Sequence, residues 1–298
     1  MNVYLKALRA PFLSGSLIPV IIGSALAFSK ECFSMSFFLI TALGVAALHL
    51  GANLLNDYYD AGGSDSINLR LTPFSGGSRV IQDREIAPWA ILLISLFFFG
   101  LGLVIGIWLV YLGRPFVIAI GFFGFAAGWA YSAPPLQLMS RGWGEVLIFF
   151  VFGPAITLGT YYVMSGSLSW QAFALGLPQG FFITGVILIN QFPDYQADRD
   201  SGKKNLIVRW GPDKCRYLYC IIMLLAFVAG ISLISIAGLS YLILFSLIAL
   251  PLGVKAMIIL WKECQSHKEM IPAQSLTIQT LIAHGMLFST GIFLSRFM

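Results

Sequence analysis

The chain has 298 residues, 58% hydrophobic and only 10% charged, with a mean hydropathy of +0.85 and a formal net charge of +5 at pH 7. Soluble globular domains carry about a quarter charged residues, and no polar stretch here is long enough to form one, so a soluble enzyme is excluded and nucleic acid is not an expected partner. The composition is that of an integral membrane protein whose main partner is the lipid bilayer.

Apolar runs close to the ~20 residues that cross a bilayer fall at 11–28, 35–55, 88–110, 114–132, 145–164, 172–190, 217–237, 239–261 and 276–296. They are continuous rather than alternating, as barrel strands would be. The predicted fold is therefore all-α, with nine transmembrane helices around a central cavity and a single membrane domain over residues 1–298. The first run follows Lys6 and Arg9 without a small-residue cleavage site, which marks a span rather than a signal peptide. The last run is the least apolar, interrupted by His284 and several Ser and Thr. Cys32, Cys215, Cys220 and Cys264 lack metal-site spacing and read as free thiols.

With the N-terminus inside, the interior segments hold Lys6, Arg9, Arg70, Arg79, Arg84, Arg141, Arg199, Lys203, Lys204, Arg209, Lys214, Arg216, Lys262 and Lys268. The opposite side holds Lys30, Arg114 and Arg296, and Lys255 lies within the eighth run. This bias predicts a cytoplasmic N-terminus.

The second run ends in "HLGANLLNDYYDAGGSD", residues 49–65. Asn53, Asn56, Asp57 and Asp60 are spaced i, i+3, i+4, i+7 and so share one helix face. The sixth run ends in "NQFPDYQADRDSGKKN", where Asn190, Asp194 and Asp198 recur at i, i+4, i+8. Pro193 lacks a backbone donor and is expected to kink or loosen that helix. The two clusters lie four spans apart, which predicts an internal four-helix repeat, roughly 11–132 and 145–261, followed by a final helix at 276–296. Both acid faces then sit at the cytoplasmic ends of helices 2 and 6. Ionisable groups at membrane depth are costly and mark working sites. His49, one turn before the first cluster, is expected to hydrogen-bond a neighbouring helix.

Asp and Asn oxygens are hard ligands suited to Mg2+, which takes a few carboxylates together with phosphate oxygens and waters. The loops beyond the acids carry the cations: "RLTPFSGGSRVIQDREI" brings Arg70, Arg79 and Gly76–Gly77, and "SGKKN" brings Lys203 and Lys204. Acids and cations together point to metal-bridged binding of a diphosphate. A diphosphate reached from a bilayer suggests a polyprenyl tail.

These motifs resemble those of the UbiA superfamily of intramembrane aromatic prenyltransferases. That family's first motif, Asn-Asp-x-x-Asp-x-x-x-Asp, is matched by Asn56, Asp57 and Asp60, with Ser64 at the last position and Asp65 one residue later. Its second, Asp-x-x-x-Asp, is matched by Asp194 and Asp198. "PFSGGSRVIQ", "YSAPPLQLMSRGWGE" and "GKKNLIVRWG" are similar to the 1,4-dihydroxy-2-naphthoate, or menaquinone, branch. The Lys-Arg pair of the ubiquinone branch is missing after Tyr131, where Pro135 and Leu136 stand and Arg141 is the first cation. Asn205 replaces the usual Thr or Ser after the basic pair.

The resemblance implies Mg2+ held by Asp57, Asp60, Asp194 and Asp198, with Asn56 and Asp65 as further candidates. Asn53, Asn56, Asn190, Arg70, Arg79, Lys203, Lys204 and Arg141 would bind or neutralise the diphosphate. Tyr131 would stabilise an allylic cation through its π face, worth about 1–2 kcal/mol. An aromatic acceptor then takes the prenyl group and, in the naphthoate case, loses carbon dioxide. Acceptors such as 4-hydroxybenzoate, homogentisate, a porphyrin-type ring or a glycerol-phosphate lipid are alternatives, and a cation-coupled secondary transporter is the alternative of another class. The implied location is a bacterial inner membrane.

Overall fold

The computed structural model describes residues 3–298 and contains helices and connecting turns, with no strand among the described residues. We number the long helices α1 (Ser14–Ser29), α2 (Met35–Asp60), α3 (Pro88–Tyr111), α4 (Val117–Ser132), α5 (Gly144–Ser165), α6 (Leu177–Asp200), α7 (Pro212–Ile236), α8 (Leu250–Glu263) and α9 (Ile271–Leu294). Their starts are written locally. Ser34 caps α2 through its side chain, and α3, α6 and α7 each begin with proline in the first turn, where the missing N–H has no intrahelical partner to lose.

Eight helical stretches among the described residues are long and apolar enough to cross a membrane, which marks an integral membrane protein. The remaining expected span, α4, is the short one, with 16 residues extending about 24 Å at 1.5 Å per residue. Gly113, with φ +82°, and Pro115 interrupt the apolar run, so the helix starts at Val117 rather than 114. The eighth run also divides, into a 3-10 stretch Tyr241–Ala249 and α8. The second and sixth spans, by contrast, run farther than their apolar residues, to Asp60 and Asp200, and so carry both acid clusters on continuous helix. Pro193 lies buried inside α6 without ending it.

The outward faces are apolar. On α3, Leu93, Phe97, Val104 and Ile107 are exposed, as are Ile221, Leu224 and Val228 on α7, which suits a lipid solvent rather than water. The interior uses small residues for close approach. A methyl group on Gly153 would lie 2.6 Å from Gly180 N and 2.7 Å from its Cα, so the backbone of α5 rests directly on that of α6. The crossing falls where α5 passes through a π turn, Val151–Ala155. Interior hydroxyls bond back to their own helix, as Thr157 does to Gly153 O and Thr277 to Ala273 O. His49 Nδ1 lies 2.8 Å from Ser16 Oγ and ties α2 to α1, as expected from its position.

Candidate active site

A cavity of about 330 Å³ runs between α2, α3, α4, α5 and α6. One end is polar, walled by Asn53, Asn56, Asp60, Asp65, Asp194 and Asp198. Away from it the wall turns apolar, with Leu48, Ile105, Leu109, Ile120 and Val163. The two acid clusters, well over a hundred residues apart in sequence, thus meet across one space because α2 and α6 present their C-terminal turns to it.

Lys203 joins the clusters. Its Nζ lies 3.1 Å from Asp60 Oδ2 and 3.4 Å from Asp198 Oδ1, with its side chain only 13% exposed. Burial works against the ammonium charge, yet the fields of Asp60 and Asp198 and the bond to Asp60 outweigh it and raise its pKa above the ordinary lysine value. Three of the acids each accept from a side-chain amide. Asn56 Nδ2 donates to Asp60 Oδ2 at 3.2 Å, Asn68 Nδ2 to Asp194 Oδ1 at 2.7 Å, and Asn205 Nδ2 to Asp198 Oδ2 at 2.7 Å. Asp57 lies behind the glycine loop, where Ser78 N donates to its Oδ1 at 3.3 Å while Oδ2 is buried with no partner.

The loop between α2 and α3 folds over the site. Gly76 and Gly77 have φ of +84° and +71°, and a side chain on Gly77 would collide with the Asp65 carboxyl, so glycine is required there. Asp65 itself is buried in the short helix Ser64–Ile67. Burial pushes its pKa up to about 8; the charge of Asp60 adds to the shift, Lys203 opposes it, and Asp57 and Asp194 add further. Arg79 donates to the Asp65 backbone carbonyl.

Of the expected cations, Lys203 lines the cavity. Arg70 instead reaches Gln265 O at 3.2 Å, Arg141 reaches Pro135 O at 2.7 Å, and Lys204 is exposed, with its backbone N bonded to Ser140 O at 2.7 Å. Tyr131 and Asn190 line the cavity, and Asn190 Oδ1 accepts from Gln274 at 2.9 Å.

Four residues enter that the motif reading did not assign to the site. Arg9 lines the cavity and donates to Phe74 O at 3.3 Å; its sequence signal was a cation directly before an apolar run, which read as topology. Asn68 has no local signal, since its partner Asp194 is remote in sequence. Asn205 stands where a helix cap is legible and does accept from Val208 N at 3.1 Å, but its donation to Asp198 is a tertiary contact. Gln191, adjacent to Asn190, also lines the cavity.

The donor set fits Mg2+: hard carboxylate and amide oxygens, with one orphaned carboxylate oxygen on Asp57. Among the described residues, no three His, Cys, Asp or Glu side chains close around a common point. That suits an ion that takes one or two protein carboxylates and completes its shell with substrate phosphates and water.

Residues 16–277 match the UbiA prenyltransferase family. A 1,4-dihydroxy-2-naphthoate octaprenyltransferase of Mycobacterium tuberculosis is 29% identical over 218 residues, 72% of each chain. One of Bacillus subtilis is 23% identical over 97% of this chain and 91% of its own. A UbiA homologue from Archaeoglobus fulgidus, solved bound to GPP and Mg2+, superposes with a TM-score of 0.67 at 15% identity, covering 97% of this chain and 100% of that one, and so shares the fold.

Proposed function

Because the chain belongs to the UbiA prenyltransferase family, we propose that this prenyltransferase moves a polyprenyl group from its diphosphate to 1,4-dihydroxy-2-naphthoate, with loss of carbon dioxide, in menaquinone biosynthesis. The reaction takes place at the cytoplasmic face of a bacterial inner membrane, where the positive-inside bias puts the acid-bearing ends of α2 and α6. The observation that carries this reading is the single cavity with an acid-and-cation end and an apolar body, shaped for a diphosphate joined to a hydrocarbon. The names of the two bacterial relatives support the acceptor.

Asp57, Asp60, Asp194 and Asp198, with Asn56 and Asp65 adjoining, would hold Mg2+ ions with one or two carboxylates to each, and such ions when bound would neutralise the diphosphate and make it a better leaving group. Lys203 and Arg9 face the same end of the cavity and offset the charge that develops as the allylic carbon–oxygen bond breaks and its electron pair leaves with the diphosphate. Asn53 and Asn190 border the same end as neutral groups. Arg79 holds the Asp65 turn, while Arg70, Lys204 and Arg141 fix the surrounding loops through the backbone contacts described above. Tyr131 presents a ring to the allylic cation, and the apolar body keeps water from quenching it. The acceptor carbon that bears the carboxyl forms the new carbon–carbon bond, and the carboxyl departs as carbon dioxide, returning its electron pair to the ring.

The test is the mass of the product from the purified protein, Mg2+, geranylgeranyl diphosphate and either 1,4-dihydroxy-2-naphthoate or 4-hydroxybenzoate. A prenylated naphthoquinol lacking the carboxyl carbon is expected. Product from 4-hydroxybenzoate alone overturns the acceptor, and absence of diphosphate release with either, from folded protein and with other prenyl chain lengths tried, overturns the proposed reaction.

A further inference from the structure

Leu48 and His49 are consecutive on α2 and line the same cavity, yet they face opposite sides of it. Leu48 packs toward α3 and α4, where a Cβ added to Gly102 or Gly124 would lie 2.7 Å or 3.8 Å from its methyl carbons. His49 turns instead to α1 and α5. Ser16 Oγ lies 2.8 Å from its Nδ1, and the Phe152 ring meets it edge-on with centroids 5.0 Å apart. Ser16 and Phe152 also line the cavity, as does Phe12. Below the acids, the space thus has an aliphatic, glycine-lined side suited to a hydrocarbon and a second side of aromatic rings with one hydrogen-bonded pair.

That pair fixes where the imidazole keeps its proton. Ser16 Oγ donates to Leu13 O at 3.1 Å, and a hydroxyl has a single hydrogen to give. Its oxygen is left to accept from His49 Nδ1–H, so Nε2 is the lone-pair nitrogen of a neutral ring. Nε2 has no partner among the described residues but is not sealed in, since His49 keeps 8% of its surface and lines the cavity. Nε2 of His284, by contrast, is fully buried without a partner.

Position gives that lone pair a use. His49 lies eight residues before Asp57 on α2, about 12 Å along the axis toward the apolar body. An acceptor ring has to meet the allylic carbon from the side away from the diphosphate, because the leaving group fills the acid end. In the proposed reaction the lining carboxylates Asp60, Asp65, Asp194 and Asp198 serve Mg2+, and Arg9 and Lys203 are cations, which leaves His49 as the neutral base of the wall. We propose that His49 Nε2 takes the proton of the acceptor hydroxyl next to the carboxyl-bearing carbon, with Ser16 as the positioning residue that holds the imidazole in this tautomer. The inference rests on the proposed transfer to 1,4-dihydroxy-2-naphthoate and adds the base for that transfer.

As the hydroxyl gives its proton to Nε2, its oxygen becomes a carbonyl and the adjacent ring carbon bonds to the allylic carbon, whose former bonding pair leaves with the diphosphate. The ring carbon then bears the prenyl group and the carboxylate beside a ketone. Such a β-keto acid loses carbon dioxide, and the released pair restores the ring as an enolate. The enolate oxygen takes the proton back from Nε2. His49 ends as it began, and no oxidant or reductant is required.

The experiment measures prenylation of 1,4-dihydroxy-2-naphthoate and Mg2+-dependent binding of geranylgeranyl diphosphate in the wild type, His49→Asn and His49→Ala. His49→Asn keeps an N–H donor for Ser16 in place of Nδ1 and removes the base at Nε2. It should bind geranylgeranyl diphosphate as the wild type does and form product about a hundredfold more slowly. In His49→Ala, added imidazole should restore part of the rate, whereas pyrazole, of the same shape and far weaker basicity, should not. A ring needed only for packing would be replaced equally well by either. If His49→Ala fails to fold, judged by its elution profile in detergent, His49→Asn carries the test. A near-wild-type rate in His49→Asn, diphosphate binding that falls as far as the rate, or rescue of His49→Ala by both heterocycles or by neither overturns the role of His49 while leaving prenyl transfer intact. A wild type that makes no prenylated naphthoquinol overturns the acceptor reading and this inference together.

Discussion

Replacing Lys203 by methionine removes a charge while keeping the chain's length, and the consequence follows from two distances. At 3.1 Å from Asp60 and 3.4 Å from Asp198, an effective dielectric of about 20 gives roughly 5 kcal/mol of attraction for each contact. Much of this is offset by the desolvation of three charges, so the measured cost should be nearer the ~3–5 kcal/mol found when one partner of a buried pair is deleted. In EDTA, Lys203→Met should therefore unfold at a clearly lower temperature than the wild type. The two carboxylates, left without their ammonium, should then bind a divalent cation more readily, so added Mg2+ should raise the variant's Tm more than the wild type's. Diphosphate release from geranylgeranyl diphosphate should slow by about a hundredfold, the scale of losing one charge-stabilising group. Thermal scans in EDTA and in Mg2+, with a diphosphate-release assay, read all three effects. Equal melting in EDTA and an equal Mg2+ shift would refute the view that Lys203 holds the two clusters together.

Other expectations concern the groups around that pair. With its pKa near 8 in the fold and near 3.8 unfolded, Asp65 binds a proton in the folded state across that interval. Its burial penalty is absent below the unfolded value and grows until pH passes about 8, so metal-free Tm should fall as pH rises from 4 to 8, and Asp65→Asn should flatten the slope. Removing the donors to Asp194 and Asp198, in Asn68→Ala and Asn205→Ala, should raise the Mg2+ concentration for half-maximal rate by about tenfold or more, with the rate at saturating Mg2+ less affected. At Gly121, which lines the cavity and where an added Cβ meets nothing within 4 Å, leucine should fill space meant for the tail. Gly121→Leu should then lower turnover of long prenyl diphosphates more than of geranyl diphosphate, and equal loss across chain lengths would count against this channel.

Much of this arrangement is written locally. Continuous apolar runs give the helices, and the i, i+3, i+4, i+7 spacing of Asn53 to Asp60 gives one polar face because side-chain direction on a helix follows from spacing alone. That α6 runs through Pro193 was not legible: the proline removes one backbone bond, but its burial in the helix core supports the continuous path. Nor was the direction of the loop cations. Arg70 turns to the carbonyl of Gln265, a choice set by how distant loops pack, and Arg141 to that of Pro135 within its own loop. Asn68 and Arg9 likewise take their meaning from neighbours dozens of residues away or more. The short α4 reflects a broken run, where a left-handed glycine and a proline outweigh hydropathy.

The central claim is that the acids of α2 and α6 form one diphosphate site. The most direct measurement is equilibrium binding of geranylgeranyl diphosphate to the purified protein, with and without Mg2+, for the wild type, Asp57→Asn and Asp194→Asn. Mg2+-dependent binding that is lost in both variants, one from each helix, is the expected result. Binding that survives either substitution at near-wild-type affinity would contradict the account.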